Sequence, residues 1–143
     1  MDINILRSSI MKTVITFGTY DLFHVGHLRI LERASTMGDR LIVGVSSDEL
    51  NFRKKKRKTV YSESERVEII EALSCVDNVF LEESLEMKEE YIKNNNADIL
   101  VMGDDWVGKF DFCKVGNPNL EVIYLPRTPD ISTSELLSKI KIN

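Results

Sequence analysis

Short apolar runs rich in β-branched residues recur along the chain at Thr13–Phe17, Leu41–Val45, Val76–Leu81, Ile99–Met102 and Val122–Leu125. Runs of this length that are apolar throughout, rather than alternating, suit strands covered on both faces. Between them the apolar positions switch to helical spacing. Leu28, Leu31, Ala34 and Ser35 follow Gly26, and Val67, Ile70, Ala72 and Leu73 follow Ser62-Glu63-Ser64-Glu65, a capping box with Ser62 as N-cap. Glu86–Asn94 is polar but helix-compatible, and Ser132–Lys141 sets Leu136, Leu137 and Ile140 on one face. Strands separated by helices, with no hairpin turns, predict a doubly wound α/β domain: five parallel strands with helices on both faces. In such a sheet ligands sit beyond the carboxyl ends of the strands. Residues 18–27, 46–61, 103–111 and 126–133 therefore become the segments to search.

A chain of 143 residues fits one domain. Residues 1–10 carry no signal-peptide or transit-peptide pattern and are expected to be a poorly ordered extension, leaving 11–143 as the domain. No apolar run approaches the ~20 residues of a membrane span. Cys75 and Cys113 are too few for a disulfide framework, which points to a reducing, cytoplasmic setting. The formal charge of −4 argues against a nucleic-acid partner. That charge is unevenly spread, because Arg53-Lys54-Lys55-Lys56-Arg57-Lys58 is an unbroken cationic run in an otherwise acidic chain. It is expected to form a basic loop, either simply solvated or part of an anion site.

Three strand-end segments carry candidate chemistry. In Gly18-Thr-Tyr-Asp-Leu-Phe-His24-Val-Gly26-His27 the only two histidines fall three apart where the first helix starts. Their rings can converge on one ligand there, while Gly26 allows close backbone approach. A zinc site would need further ligands that the sequence does not supply nearby. Phosphate suits imidazole N–H groups and helix N-terminal amides better. Gly103–Phe110 nearly matches a phosphate loop, but Phe110 replaces the magnesium-binding hydroxyl and Asp104 and Asp105 would oppose a polyphosphate. Asp104 is expected instead to accept a hydrogen bond, with Trp106 as a stacking or packing surface. In Arg127-Thr128-Pro129-Asp130-Ile131-Ser132-Thr133-Ser134-Glu135 a cation precedes hydroxyls and a second capping box, an arrangement able to surround an anion.

Taken together, TFGTYDLFHVGH, the basic run, MGDDWVGKFDF and LPRTPDISTS resemble the cytidylyltransferase family of HxGH nucleotidyltransferases, from Met11 to about Lys139. The resemblance implies a Rossmann-like domain that joins CTP to a small polyol phosphate, foremost sn-glycerol 3-phosphate, giving a CDP-alcohol and pyrophosphate for polyol-phosphate polymers. It implies that Thr19, Tyr20, His24, Gly26, His27, Lys56, Asp104, Arg127, Thr128, Ile131, Ser132, Thr133 and Ser134 serve the nucleotide, with His24, His27, Lys56 and Arg127 as catalytic donors. Lys54, Arg66 and Lys88 would serve the acceptor, and Lys55 would be a mobile spectator. Mg2+ bridging the CTP phosphates and a homodimer are further implications. Ser74 and Leu85 depart from the pattern, standing where an arginine and an aromatic residue are expected, and both departures bear on the acceptor. An adenylyltransferase acting on a sugar phosphate and a CTP-sensing module without catalysis are the competing readings.

Overall fold

The computed structural model describes residues 11–129 and 131–142; the extension expected over residues 1–10 lies outside the described residues. Its strands are β1 (Thr13–Gly18), β2 (Arg40–Ser46), β3 (Asn78–Glu82), β4 (Ile99–Gly103) and β5 (Glu121–Leu125). All neighbouring strands are parallel, in the order β3-β2-β1-β4-β5. The expected doubly wound sheet is therefore present. Val76 and Asp77 fall just before β3 rather than in it, and Asp77 instead receives the Leu41 amide on its carboxylate at 2.8 Å.

Helices α1 (Val25–Ser35), α2 (Asp48–Lys55), α3 (Glu63–Glu71), α4 (Lys88–Asn94), α5 (Cys113–Gly116) and α6 (Thr133–Ile142) connect or follow the strands. Successive strand residues face opposite sides, so each strand feeds two cores. Val14, Leu41, Val43 and Val101 pack with Leu31 and Ala34 of α1 and Ile70 of α3. Ile15, Ile42, Leu100 and Met102 pack with Ile92 of α4 and Cys113 of α5 on the other side. No helix among the described residues is long and apolar enough to cross a membrane.

The basic run departs from the loop expected for it, because Arg53, Lys54 and Lys55 form the last turn of α2. Ser47 caps that helix by accepting the Leu50 amide, Asp48 and Glu49 occupy its positive end, and the three cations sit against its negative end. Its narrow apolar face, with only Leu50 and Asn51 buried, left no periodic signal in the sequence. Lys56 ends the helix in the left-handed region at φ 59°.

Candidate active site

The connections leaving β1 and β4 diverge where the strand order reverses, and a cavity of about 340 Å3 opens at that edge. Residues from the ends of β1 and β4, from α1, α2 and the start of α6 line it.

His24 and His27 form its floor by capping one another. His24 is the N-cap of α1, and its Nδ1 accepts the amides of Gly26 at 3.0 Å and His27 at 3.4 Å. Nδ1 of His27 accepts the His24 amide at 3.2 Å, so two imidazoles replace the hydroxyl and carboxylate of an ordinary capping box. The rings stack with centroids 3.7 Å apart. A nitrogen that accepts an amide proton carries none itself, so each ring is the neutral tautomer with Nε2–H as its donor. Burial pushes the His27 pKa down to about 3, reinforced by His24 and Lys55, and burial lowers His24 as well. The site therefore offers two fixed neutral donors rather than two imidazolium charges.

Gly26 is required by what lies over it. A Cβ there would stand 2.8 Å from His24 Cε1 and 3.1 Å from Ile131 Cγ2, so only glycine lets the segment before α6 close over the histidines. Thr19 lines the cavity and donates its hydroxyl to Asn51 Oδ1 at 3.0 Å. Tyr20 also borders it, but the ring is 5% exposed and meets His27 edge-on at 5.5 Å, so it buttresses the imidazole. Arg127, Thr128, Ile131, Ser132, Thr133 and Ser134 all line the opposite wall. Thr133 Oγ1 donates to the Asp21 carbonyl at 2.9 Å, and Ser132 Oγ accepts the Glu135 amide at 3.1 Å.

The cationic run divides between cavities in a way its sequence did not reveal. Lys55, Arg57 and Lys58 line the large cavity, whereas the expected phosphate contact Lys56 is exposed and absent from its wall. Residues one apart on a helix diverge by about 100°, so Lys54 and Lys55 face different spaces, and the left-handed turn carries Lys56 away. Partial burial lowers the Lys55 pKa, aided by Arg57, as expected for a cation crowded over a site built for anions. Asp104 likewise begins a 3₁₀ turn, Asp104–Trp106, off the wall, and Asp105 takes the lining position.

A second cavity of about 30 Å3 adjoins the first along Phe17, Gly18, Met102 and Trp106 and is bounded by Lys54, Glu82, Leu85, Lys88 and Phe110. Two expected acceptor residues, Lys54 and Lys88, thus share one small space beside the large cavity. Burial lowers the pKa of Lys54 to about 8 despite the opposing Glu82 carboxylate. Arg66, the third, faces neither cavity. It is fully buried, with Nε on the Tyr61 carbonyl, Nη1 on the carbonyls of Thr19 and Ser46, and Nη2 on Asp48 at 2.7 Å. Its guanidinium ties the β1 and β2 connections together and holds the walls rather than a ligand. Of the two departures, Leu85 borders the small cavity, while Ser74 lies between α3 and β3, at the opposite edge of the sheet.

Sequence reasoning assigned no role to Asp21, Asn51 or Glu82, and set Lys55 aside as a spectator and Asp105 as a carboxylate opposed to polyphosphate. Asp21 lies between two left-handed residues, Tyr20 at φ 57° and Leu22 at φ 48°, and its carboxylate receives the amides of Val60 and Tyr61, both at 2.9 Å. An aspartate in a turn has many local uses, and nothing in its spacing announced contacts some forty residues away.

A parallel α/β sheet with donors gathered at its reversal point, a helix N-terminus below and cations above defines the class of nucleotide-phosphate-binding domains. The model of the cytidylyltransferase-like family matches residues 15–139. This chain belongs to that family. It is 48% identical over 130 residues to glycerol-3-phosphate cytidylyltransferase of Bacillus subtilis (strain 168), covering 91% of this chain and 98% of the relative. The corresponding protein of Staphylococcus aureus (strain NCTC 8325 / PS 47) is 45% identical over 130 residues, with 91% and 96% covered. The crystal structure of the lipopolysaccharide core biosynthesis protein from Thermoplasma volcanium GSS1 superposes with a TM-score of 0.70 at 23% identity, over 82% of this chain and 98% of that one, a likeness of fold.

Proposed function

We propose that the protein transfers CMP from CTP to sn-glycerol 3-phosphate, giving CDP-glycerol and pyrophosphate. The observation that carries this reading is a cavity of small-molecule size floored by the two histidines, with a small recess beside it walled by Lys54 and Lys88. The near-complete coverage of glycerol-3-phosphate cytidylyltransferases at 45% to 48% identity supports the same substrates.

The acceptor's phosphate oxygen, already an anion, attacks the α-phosphorus of CTP; the new P–O bond forms as the bond to the bridging oxygen breaks and pyrophosphate leaves. No general base is needed, so the protein's task is alignment and stabilisation of the charge developing on phosphorus-bound oxygens. His24 and His27 supply neutral Nε2–H donors whose direction is fixed by their mutual capping. Arg127 supplies charge from the wall that the α6 segment forms. Lys55 takes the role that the family pattern assigned to Lys56, since it reaches the cavity and Lys56 does not. Both Asp21 carboxylate oxygens are engaged by amides, which leaves Asp105 as the carboxylate on the wall, and no three metal-ligating side chains converge among the described residues. That donor set fits a Mg2+ that the nucleotide would carry in and that Asp105 would help to hold. When bound, the ion would neutralise polyphosphate charge.

The resemblance also supports a homodimer, checked by light scattering, and the unpaired Cys75 and Cys113 support a reducing, cytoplasmic setting. The decisive experiment measures pyrophosphate release with CTP and Mg2+ across sn-glycerol 3-phosphate, ribitol 5-phosphate, phosphocholine and a heptose 1-phosphate, with ATP as nucleotide control. Turnover confined to CTP with glycerol phosphate is the expected result. Turnover with another acceptor moves the substrate, and CTP binding without release overturns catalysis.

A further inference from the structure

Glu82 is the last residue of β3, is 1% exposed, and lies opposite Ser46 in the parallel register. Its Oε2 accepts from Lys88 Nζ at 2.6 Å and its Oε1 from Ser46 Oγ at 3.3 Å. Ser46 Oγ in turn accepts from Lys54 Nζ at 2.9 Å. The four groups form one chain in which two ammonium groups converge through a hydroxyl on a single carboxylate, and both ammonium groups border the small cavity. Lys88 is itself 1% exposed, its Nζ 3.7 Å from the Phe17 ring centroid and 4.6 Å from that of Phe110. Two cations held this close inside the fold repel one another and resist burial, and one shared anion offsets both penalties while leaving the cluster one positive charge.

We infer that Glu82 is the positioning residue of the acceptor half-site: it fixes Lys88 directly and Lys54 through Ser46, so that the residual positive charge is presented to the acceptor's phosphate. This rests on the reading of the small cavity as the acceptor site. The charged and titratable groups around Glu82 are Lys54 on α2, Arg66 on α3, whose Nη1 binds the Ser46 carbonyl, Lys88 on α4 and the Tyr20 phenol after β1; Cys113 on α5 acts on Lys88. The Glu82 charge opposes the lowering by burial at Lys88 and at Lys54, where the pKa comes to about 8. Removing that charge lowers it further, so a variant without it loses the Lys54 cation at a pH where the parent keeps it.

Glu82→Gln tests this, since it preserves shape and one accepting oxygen while it removes the charge and turns the other acceptor into a donor. KM for sn-glycerol 3-phosphate is expected to rise roughly tenfold at pH 8, with KM for CTP within about twofold of the parent. The variant-to-parent ratio of acceptor KM should shrink as pH falls from 8 towards 6.5, because protonation of Lys54 recovers in the variant. Taking the ratio at each pH cancels the ionisation of the substrate itself. Equal changes in both KM values, a pH-independent ratio or an unchanged acceptor KM would each overturn the inference while leaving the activity standing. A parent protein without turnover on this acceptor overturns both. Should Glu82→Gln fail to fold, Ser46→Ala breaks the Glu82–Ser46–Lys54 link with no charge removed. It should raise acceptor KM alone, and a rise shared with CTP sinks the proposal.

Discussion

His27 uses Nδ1 to hold the start of α1 and has Nε2–H left for a ligand, so folding and chemistry draw on one ring. His27→Ala should lower kcat by roughly 10²- to 10³-fold, the usual cost of one transition-state donor, with the fold intact by circular dichroism; near-normal turnover would remove it from the mechanism. Arg66 answers a different question. Its contacts are the carbonyls of Thr19, Ser46 and Tyr61 and the carboxylate of Asp48, so Arg66→Met strands several acceptors and should cost about 3 kcal/mol in urea unfolding. A loss under about 1 kcal/mol with a raised acceptor KM would return it to substrate contact. Residue identity was legible where chemistry clustered locally, as in His24 with His27 or Arg127 with its hydroxyls. It was not legible at Arg66 and Asp104, where the deciding fact is the direction of one side chain.

Elements were legible in proportion to the width of their apolar face. All five strands and α1, α3 and α6 announced themselves, and α4 emerged as a shorter version of its polar stretch. Helices α2 and α5 did not: α5 is a single turn, and α2 is held by the Ser47 cap and end charges rather than by a stripe of core residues. Missing α2 also hid which of its lysines faces the large cavity, since helical geometry decides it. The two alternatives separate cleanly by substitution. Lys56→Gly relieves a left-handed non-glycine residue and should gain up to about 1 kcal/mol in thermal unfolding while CTP turnover is retained. Lys55→Ala should lower kcat/KM for CTP by at least about tenfold. The reverse pattern would reinstate Lys56 as the phosphate contact.

Across the whole molecule, titration ties stability to pH in two windows. His27 has a folded pKa of about 3 against 6.5 unfolded, so between those values the unfolded chain binds the extra proton and stability falls as pH falls. One such group contributes a slope of up to about 1.4 kcal/mol per pH unit. Urea midpoints of the parent should therefore decline from pH 6.5 downwards more steeply than those of His27→Asn; parallel curves would mean that the ring titrates normally. Lys54, lowered to about 8 from 10.5, adds stability as pH rises through that upper interval by the same argument.

The bond from Thr133 to the Asp21 carbonyl spans 112 residues, and the wall it secures belongs to α6, which follows every strand. The histidine floor follows the first strand and the wall follows the fifth, so the site closes only when α6 packs back on the connection after β1. A chain without α6 would keep all five strands and both histidines, yet its site would stand open on one side. Competence to retain nucleotide thus rests on one long-range closure, and local opening of α6 alone would release the ligand while the sheet stays folded.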